Sequence, residues 1–425
     1  MNKFVNFLEK YLSTPMTKLS EQRHLRAIRD GVVSSLPFII IGSMFLIVAM
    51  PPVAADSALG MWAAENAGQI LIPFRVTMFI MTLYVTFGIG YNLAQTYKLD
   101  PLTGGQLSIA ALLMTIIPQA TDAGWMLPMG NLGGQGLFIA MIVSIFAVEI
   151  QRFCKEKNIT IKMPDSVPPS IARSFAALFP VGIVIVVIGF ITVVLGIDLH
   201  GVVGQLVAPL ISAGDSLPGV LLLVFLITFF WSFGVHGVSV IGAVARPIWQ
   251  VYAEQNAAAA VAGESLQNLP FIAPETFYQW FVWIGGAGAT LGLVIATLIV
   301  ARSNYMRAMG KATIVPSLFN INEPVMFGMP IVLNPLLIIP FIIIPLITTI
   351  ISYVVTVIGL VNATFTIVPW TLPAPIGAFL ATGGDWRAII LVLVNITIST
   401  VIYLPFIKIY DKKLVKQEQG EEVVA

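Results

Sequence analysis

The residues best suited to chemistry in this sequence are the five at 320–324, Asn-Ile-Asn-Glu-Pro, which lie between long apolar segments. The downstream segment, 331–360, contains no Asp, Glu, Lys or Arg. A charged group at membrane depth costs about 2.5 to 3.5 kcal/mol, so an intramembrane carboxylate usually marks a functional site. The proline after Glu323 disfavours helix there, which suits a polar cavity better than lipid. We therefore predict that Glu323 faces a binding cavity, where Asn320 and Asn322 offer hydrogen bonds to hydroxyl groups.

A second candidate is His236, which lies in the segment 231–237, Trp-Ser-Phe-Gly-Val-His-Gly. The flanking glycines let a ligand or backbone approach closely, and an ordinary imidazole pKa of about 6.5 allows proton transfer. Two structural readings compete with function. Glu323 could cap a helix or pair with Arg246, and His236 could simply be satisfied at a helix end. We favour a functional role for both residues within one site.

Tryptophan side chains could stack on sugar rings, although aromatic belts at the membrane interface are their more common role. Trp231 shares a short segment with His236, and Trp370 lies in the rigid, proline-flanked segment 369–373. These two are the predicted sugar-stacking residues. The tryptophans predicted to form interfacial belts are Trp62, Trp125, Trp280 and Trp386.

The composition predicts an all-α polytopic membrane protein. Of the 425 residues, 57% are hydrophobic and 10% are charged, whereas a soluble domain carries about 25% charged residues. The mean hydropathy is +0.92, and many apolar runs approach the roughly 20 residues that span a bilayer. A net charge of +1 argues against nucleic acid as a partner.

Some chemistries are disfavoured by what the sequence lacks. Cys154 is the single cysteine, which excludes an intramolecular disulfide and a metal site built from thiols. A phosphate-binding P-loop is missing, which argues against a self-contained ATP-driven pump. We predict no cofactor and no metal. The first 30 residues resemble a helix lying on the membrane surface rather than a signal peptide, with one apolar face formed by Phe4, Phe7, Leu8, Tyr11 and Leu12.

The distribution of Lys and Arg predicts the topology, because cytoplasmic loops are enriched in basic residues. Both chain ends are predicted to be cytoplasmic. A short extra crossing at about 236–252 is needed to keep the basic residues after position 301 inside. Segments 254–279 and 312–332 are too short or too broken to cross twice, so we predict two opposed re-entrant hairpins. The total is about ten spans.

Embedded charged residues are concentrated in the C-terminal part of the chain. We therefore predict three regions: a transmembrane scaffold and dimerisation domain at 1–213, a substrate-binding transport domain at 214–412, and a cytoplasmic tail at 413–425. Broken elements that meet near the middle of a membrane are typical of a transporter's substrate site.

Three segments together resemble a known family. Residues 319–335 read FNINEPVMFGMPIVLNP, residues 162–175 read KMPDSVPPSIARSF, and residues 231–237 read WSFGVHG. They resemble the membrane (C) component of sugar phosphotransferase system enzyme II, of the lactose, cellobiose and diacetylchitobiose branch. The resemblance extends from the N-terminal helix to about residue 412.

The resemblance implies a homodimer in the bacterial cytoplasmic membrane that binds a disaccharide and carries it inward. It further implies that a soluble, phosphorylated B component, itself supplied by an A component, phosphorylates the sugar 6-hydroxyl from a phosphocysteine. The family's essential glutamate and histidine correspond to Glu323 and His236, and its neighbouring asparagine corresponds to Asn322. Trp231 and Trp370 correspond to aromatic residues near the sugar. The expected catalytic pair is thus Glu323 and His236.

Two other classes of function remain compatible with the residues. An ion-coupled secondary sugar transporter could use Glu323 to carry a proton, and a membrane receptor or channel would need no chemistry. Appearance of sugar phosphate that depends on a phosphorylated donor would distinguish the predicted function from both.

Overall fold

The structure is a computed structural model that describes residues 22–122, 124–161, 163–164, 167–329 and 331–419. The predicted surface helix at Phe4–Leu12 lies outside these residues. The fold is almost entirely helical. In chain order the α-helices are α1 (Arg23–Ala49), α2 (Ala58–Ile70), α3 (Ile72–Arg75), α4 (Met81–Thr96), α5 (Pro101–Leu113), α6 (Leu137–Glu156), α7 (Pro169–Ala176), α8 (Leu178–Gly189), α9 (Leu199–Asp215), α10 (Leu217–Ser232), α11 (Gly237–Val261), α12 (Glu275–Phe277), α13 (Thr290–Val300), α14 (Asn304–Leu318), α15 (Glu323–Gly328), α16 (Pro335–Val357), α17 (Ala374–Ala381) and α18 (Trp386–Glu418).

Shorter elements join these helices. One antiparallel hairpin pairs Gln119 with Met126 and Thr121 with Gly124. The bounds of the strands, the 3₁₀ segments and the π-helical segments are β1 (Gln119–Thr121), β2 (Gly124–Met126), Met78–Ile80, Met129–Leu132, Gly134–Gly136, Phe190–Val194 and Tyr278–Val282.

Six helical segments among the described residues are long and apolar enough to cross a membrane, and a seventh is a pair bent by 79°. The bend lies at Ser216, between α9 and α10, where the Ser216 hydroxyl accepts a hydrogen bond from the Gly219 N–H and caps α10. Such a cap satisfies an orphan donor at the helix start. The prediction of a multi-pass α-helical protein is confirmed, whereas the count of ten spans stays a prediction.

Helix α11 differs from the predicted short crossing at 236–252. It runs for 25 residues and contains Pro247 without ending there. The first part of the predicted hairpin segment 254–279 is therefore helical as far as Val261, and the hairpin itself stays a prediction. The helix continues because residues 256–262 are rich in alanine, the best helix former.

The largest core cluster is built from residues 220–407, whereas α1, α4, α5, α6 and α8 contribute to other clusters. This separation agrees with a division near residue 213, which stays a prediction. The two parts are joined where the Glu254 carboxylate accepts a 2.6 Å hydrogen bond from the Gly134 N–H. Helix α18 continues to Glu418, whose carboxylate accepts from the backbone N–H of Asn304 at the start of α14.

Candidate functional site

The first wall of the site is the turn at 283–289, Trp-Ile-Gly-Gly-Ala-Gly-Ala. Three of its residues, Gly285, Gly286 and Gly288, have φ of +80°, +106° and +88°. Glycine adopts this region of φ without the steric cost that a side chain would add. The preceding π-helical segment, Tyr278–Val282, belongs to a class of helix distortion that is frequent at functional sites.

The second wall is the turn between α14 and α15, where Asn320 has φ +60°. Asparagine tolerates this left-handed conformation better than most residues. Its side-chain Oδ1 accepts from the Gly285 N–H at 3.0 Å, and Nδ2 donates to the carbonyls of Trp370 and Leu372 at 3.0 and 2.9 Å. Asn320 thus ties three chain segments together, and its amide forms three hydrogen bonds to backbone.

Asn322 makes the second contact between the two turns. Its Nδ2 donates to the Ala287 carbonyl at 3.3 Å, and the side chain packs directly on Gly286, where no Cβ would fit. Asn322 is only 5% exposed. The second predicted broken element, 312–332, is thus held against the glycine turn at 283–289, whereas a meeting of two re-entrant hairpins stays a prediction.

We expect Asn320→Gly to weaken disaccharide binding by about tenfold. Glycine keeps the left-handed backbone conformation but removes three hydrogen bonds, each worth about 0.5 to 1.5 kcal/mol. Asn320→Ala should weaken binding further, because alanine also strains the backbone. Titration of purified protein with sugar measures the effect, and Asn158→Gly, at a distant position that also has φ +55°, is the matched control. An Asn320→Gly variant with unchanged affinity would show that the tie between segments does not shape the site.

Glu323 and His236 are brought together, although 87 residues separate them in sequence. Glu323 begins α15 and His236 is the N-cap of α11. The imidazole Nε2 lies 4.0 Å from the Glu323 Oε1, and the two side chains are 45% and 50% exposed. His236 thus stands at a helix end, as its structural reading expected, whereas the N-cap of α15 is Asn322 rather than Glu323.

The His236 contacts decide which nitrogen faces the carboxylate. Nδ1 accepts from the Ser239 N–H at 3.1 Å, so the proton of the neutral ring is on Nε2. A distance of 4.0 Å is too long for a hydrogen bond, whose length is about 2.7 to 3.2 Å. One hydroxyl oxygen can therefore lie about 2.8 Å from both groups, accepting from Nε2 and donating to Glu323. The gap between the two groups thus has room for one hydroxyl oxygen.

These residues line one cavity of about 530 Å³, within the range of roughly 300 to 1,000 Å³ usual for ligand sites. One wall comes from α1 and the rest from the end of α10 and the segments that follow it. All six residues predicted from sequence line it: Trp231, His236, Asn320, Asn322, Glu323 and Trp370. The division predicted near residue 213 would place this cavity between the two parts of the chain.

The tryptophans differ in how they face the cavity. Trp370 is 51% exposed, whereas Trp231 is 2% exposed and packs against His236 with ring centroids 4.5 Å apart. Trp231 therefore supports the histidine from behind. Trp280 is fully buried, so the prediction that it belongs to an interfacial belt was wrong: it packs on Gly377, where only a glycine leaves room for the indole. The other three tryptophans predicted to lie in a belt are exposed: Trp62, Trp125 and Trp386.

Arg246 pairs with Glu275 rather than with Glu323. The guanidinium Nε donates to the Glu275 Oε1 at 3.1 Å, and both side chains are largely buried. The alternative reading, in which Arg246 neutralises Glu323, is therefore not what the structure shows. Glu323 keeps His236 as its nearest ionisable partner among the described residues.

Sequence reasoning missed several lining residues. Three are polar residues of α11, α12 and the π-helical segment, where a polar residue in an apolar stretch was the available signal, and two come from α1 and from the glycine turn. They are Arg29, Gln250, Thr276, Gln279 and Gly286. The run of three glycines after Trp283 could have marked the turn, since glycine permits close approach.

Comparison with known proteins identifies the family of this chain. Residues 29–345 match the family model described as phosphotransferase system, EIIC. The chain belongs to the phosphotransferase system EIIC family. It is 39% identical to the cellobiose-specific EIIC component of Geobacillus stearothermophilus, over 100% of this chain and 98% of that protein. It is 32% identical to a lactose-specific EIICB component of Streptococcus mutans, over 94% of this chain and 71% of that protein.

A solved structure agrees with the fold. The crystal structure of the transporter ChbC, the IIC component from the N,N'-diacetylchitobiose-specific phosphotransferase system, superposes on this EIIC chain with a TM-score of 0.91. The identity is 41%, covering 98% of this chain and 100% of ChbC. The resemblance deduced from the Asn-Glu-Pro segment is confirmed. This EIIC chain is a multi-pass membrane protein of a sugar phosphotransferase system.

Proposed function

We propose that this EIIC chain binds a disaccharide of the cellobiose, diacetylchitobiose or lactose type and carries it inward by alternating access. During this process a phosphorylated B component transfers a phosphoryl group to the sugar 6-hydroxyl. The protein works as a homodimer in the bacterial cytoplasmic membrane, with both chain ends in the cytoplasm. The names of the relatives, which refer to cellobiose, lactose and diacetylchitobiose, support the substrate class.

The observation that carries this proposal is the 4.0 Å gap between His236 and Glu323. A hydroxyl in that gap would donate its proton toward a carboxylate that can accept it. Phosphoryl transfer depends mainly on positioning and on electrostatic stabilisation, which such a pair supplies. Trp370 offers an exposed indole for an apolar sugar face, and Asn322 holds the two turns that frame the hydroxyl.

Alternating access is supported by the origin of the cavity walls. Residues of α1 face residues of α11 and α15 across the same space. Movement of one part of the chain against the other would change access to the cavity without dismantling the two turns. After transfer, the product carries about −1.5 to −2 charges, and repulsion from Glu323 favours its release.

The test uses purified protein and membrane vesicles. First, cellobiose, diacetylchitobiose and lactose compete for binding, which identifies the preferred disaccharide. Second, vesicles loaded with phosphorylated B component should accumulate the 6-phosphate of that sugar, and vesicles without it should not. Accumulation of free sugar driven by a pH gradient would instead show an ion-coupled transporter and overturn the proposal.

A further inference from the structure

The α1 wall of the cavity has an unexpected composition. Arg29, Val33, Leu36 and Ile40 line the space at the i, i+4, i+7 and i+11 positions of one helical face. Asp30, beside Arg29, lines it as well. Three of the four are apolar, so the guanidinium of Arg29 is the cation of this face. It was absent from the residues predicted from sequence.

Arg29 has unused hydrogen-bonding capacity. Its Nε donates to the Asp30 Oδ1 at 2.9 Å, and its side chain is 19% exposed. A guanidinium has five N–H donors, and Arg29 makes no other side-chain hydrogen bond with any residue that the structure describes. The adjacent carboxylate orients the group, and the remaining donors are available to a ligand in the cavity.

The position of Arg29 along the cavity follows from the packing of α1 and α11. Residues near the starts of the two helices, Arg29 and His236, line the same cavity, and residues at their ends, Met50 and Ala259, share a core cluster. The helices therefore run parallel, and both Arg29 and His236 lie in their first parts. Arg246 is ten residues along α11 from His236, about 15 Å at 1.5 Å per residue, and it pairs with Glu275.

We propose that Arg29 binds the phosphoryl group in transit. This inference rests on the proposed function. In that reaction the P–S bond of the donor phosphocysteine breaks, a P–O bond to the sugar 6-oxygen forms, the hydroxyl proton passes to Glu323, and the thiolate stays on the B component. The arriving group is negative and approaches a carboxylate, so it needs a cation. A planar guanidinium that can contact two phosphoryl oxygens at once is suited to that task.

The helix direction agrees with this role. Arg29 lies about two turns from the start of α1, the end that the positive-inside rule places in the cytoplasm. A cytoplasmic donor would therefore meet Arg29 on its way to the hydroxyl held by His236 and Glu323. The apolar residues that follow on α1, from Val33 onward, would face the sugar instead.

The test compares Arg29→Gln and Arg29→Lys with the wild type and with Arg26→Gln. Arg26 also lies within 4 Å of Asp30 but does not line the cavity, so it is the matched control. Arg29→Gln should keep the affinity for the preferred free disaccharide within about twofold. It should lower both the phosphorylation rate and the affinity for the disaccharide 6-phosphate by about tenfold, the scale of a lost charged hydrogen bond.

Arg29→Lys keeps the charge but loses the two-point contact, so it should recover part of the affinity for the 6-phosphate. Phosphorylation by Arg29→Gln at the wild-type rate would overturn the inference. Equal losses for free and phosphorylated sugar would also overturn it, because they would indicate a structural role. If Arg29→Gln does not fold, the same comparison is made on Arg29→Lys. Absence of sugar phosphate with the wild type would instead refute the proposed function.

Discussion

Replacing Glu323 with glutamine is expected to lower sugar phosphorylation by about 10²- to 10⁴-fold, the usual contribution of a general base. Glutamine has nearly the same shape and still accepts a hydrogen bond, but it cannot take the hydroxyl proton. Disaccharide affinity should therefore fall much less, by about tenfold or less, the scale of one hydrogen bond. Phosphorylation is measured with phosphorylated B component, and affinity is measured on the same purified variant.

Glu65→Gln is the matched control, because Glu65 is an exposed carboxylate on α2 that does not line the cavity. It should leave both quantities unchanged. Phosphorylation by Glu323→Gln at the wild-type rate would rule out proton acceptance by this residue. The 4.0 Å approach of His236 to Glu323 would then serve binding alone.

Replacing Gly286 with alanine is expected to weaken disaccharide binding by about 100-fold. Gly286 has φ +106°, a conformation that costs a residue with a side chain about 1 to 3 kcal/mol. A Cβ at this position would also collide with the Asn322 side chain, which lies one residue before Glu323. The turns would separate, and the carboxylate would move away from His236. A loss of about 2.8 kcal/mol corresponds to 100-fold in affinity.

The matched control is Gly182→Ala in α8, where a Cβ has nothing within 4 Å. That substitution should leave affinity unchanged and could stabilise the helix, since alanine is the better helix former. Size-exclusion chromatography of both variants checks that the fold is kept. Wild-type sugar affinity in a folded Gly286→Ala variant would contradict the view that contact between the turns sets the geometry of the site.

Several residues that line the candidate site were predicted from local sequence alone. Glu323 was identified because a carboxylate between apolar segments costs free energy in a membrane. A residue that is kept at such a cost usually has a function. His236 and Trp370 were identified from glycine and proline in their own neighbourhoods. Such arguments need only the chemistry of one residue and its immediate flanks. All of these residues line the same cavity.

Predictions that depended on contacts between residues distant in sequence were less accurate. Trp280 was assigned to an interfacial belt from its type, yet Gly377 provides a buried place for it. Arg246 was considered a partner for Glu323, but Glu275 is its partner. The helix that contains the short crossing predicted at 236–252 is longer than expected, because the alanine-rich end of α11 continues it to Val261.

The sequence by itself determined the class of protein, the acidic residue of the site and the family, because composition and short motifs act locally. Only the tertiary structure decided which side chains face the cavity and which side chains hold the surrounding segments in place. Asn320 looked like a sugar-binding amide, and its three hydrogen bonds to distant backbone make it a tie between segments. In the sequence, Arg29 is one of several basic residues that precede the first predicted span. Its place in the lining of the cavity that also contains Glu323 depends on how α1 packs against α11, and no local pattern encodes that packing.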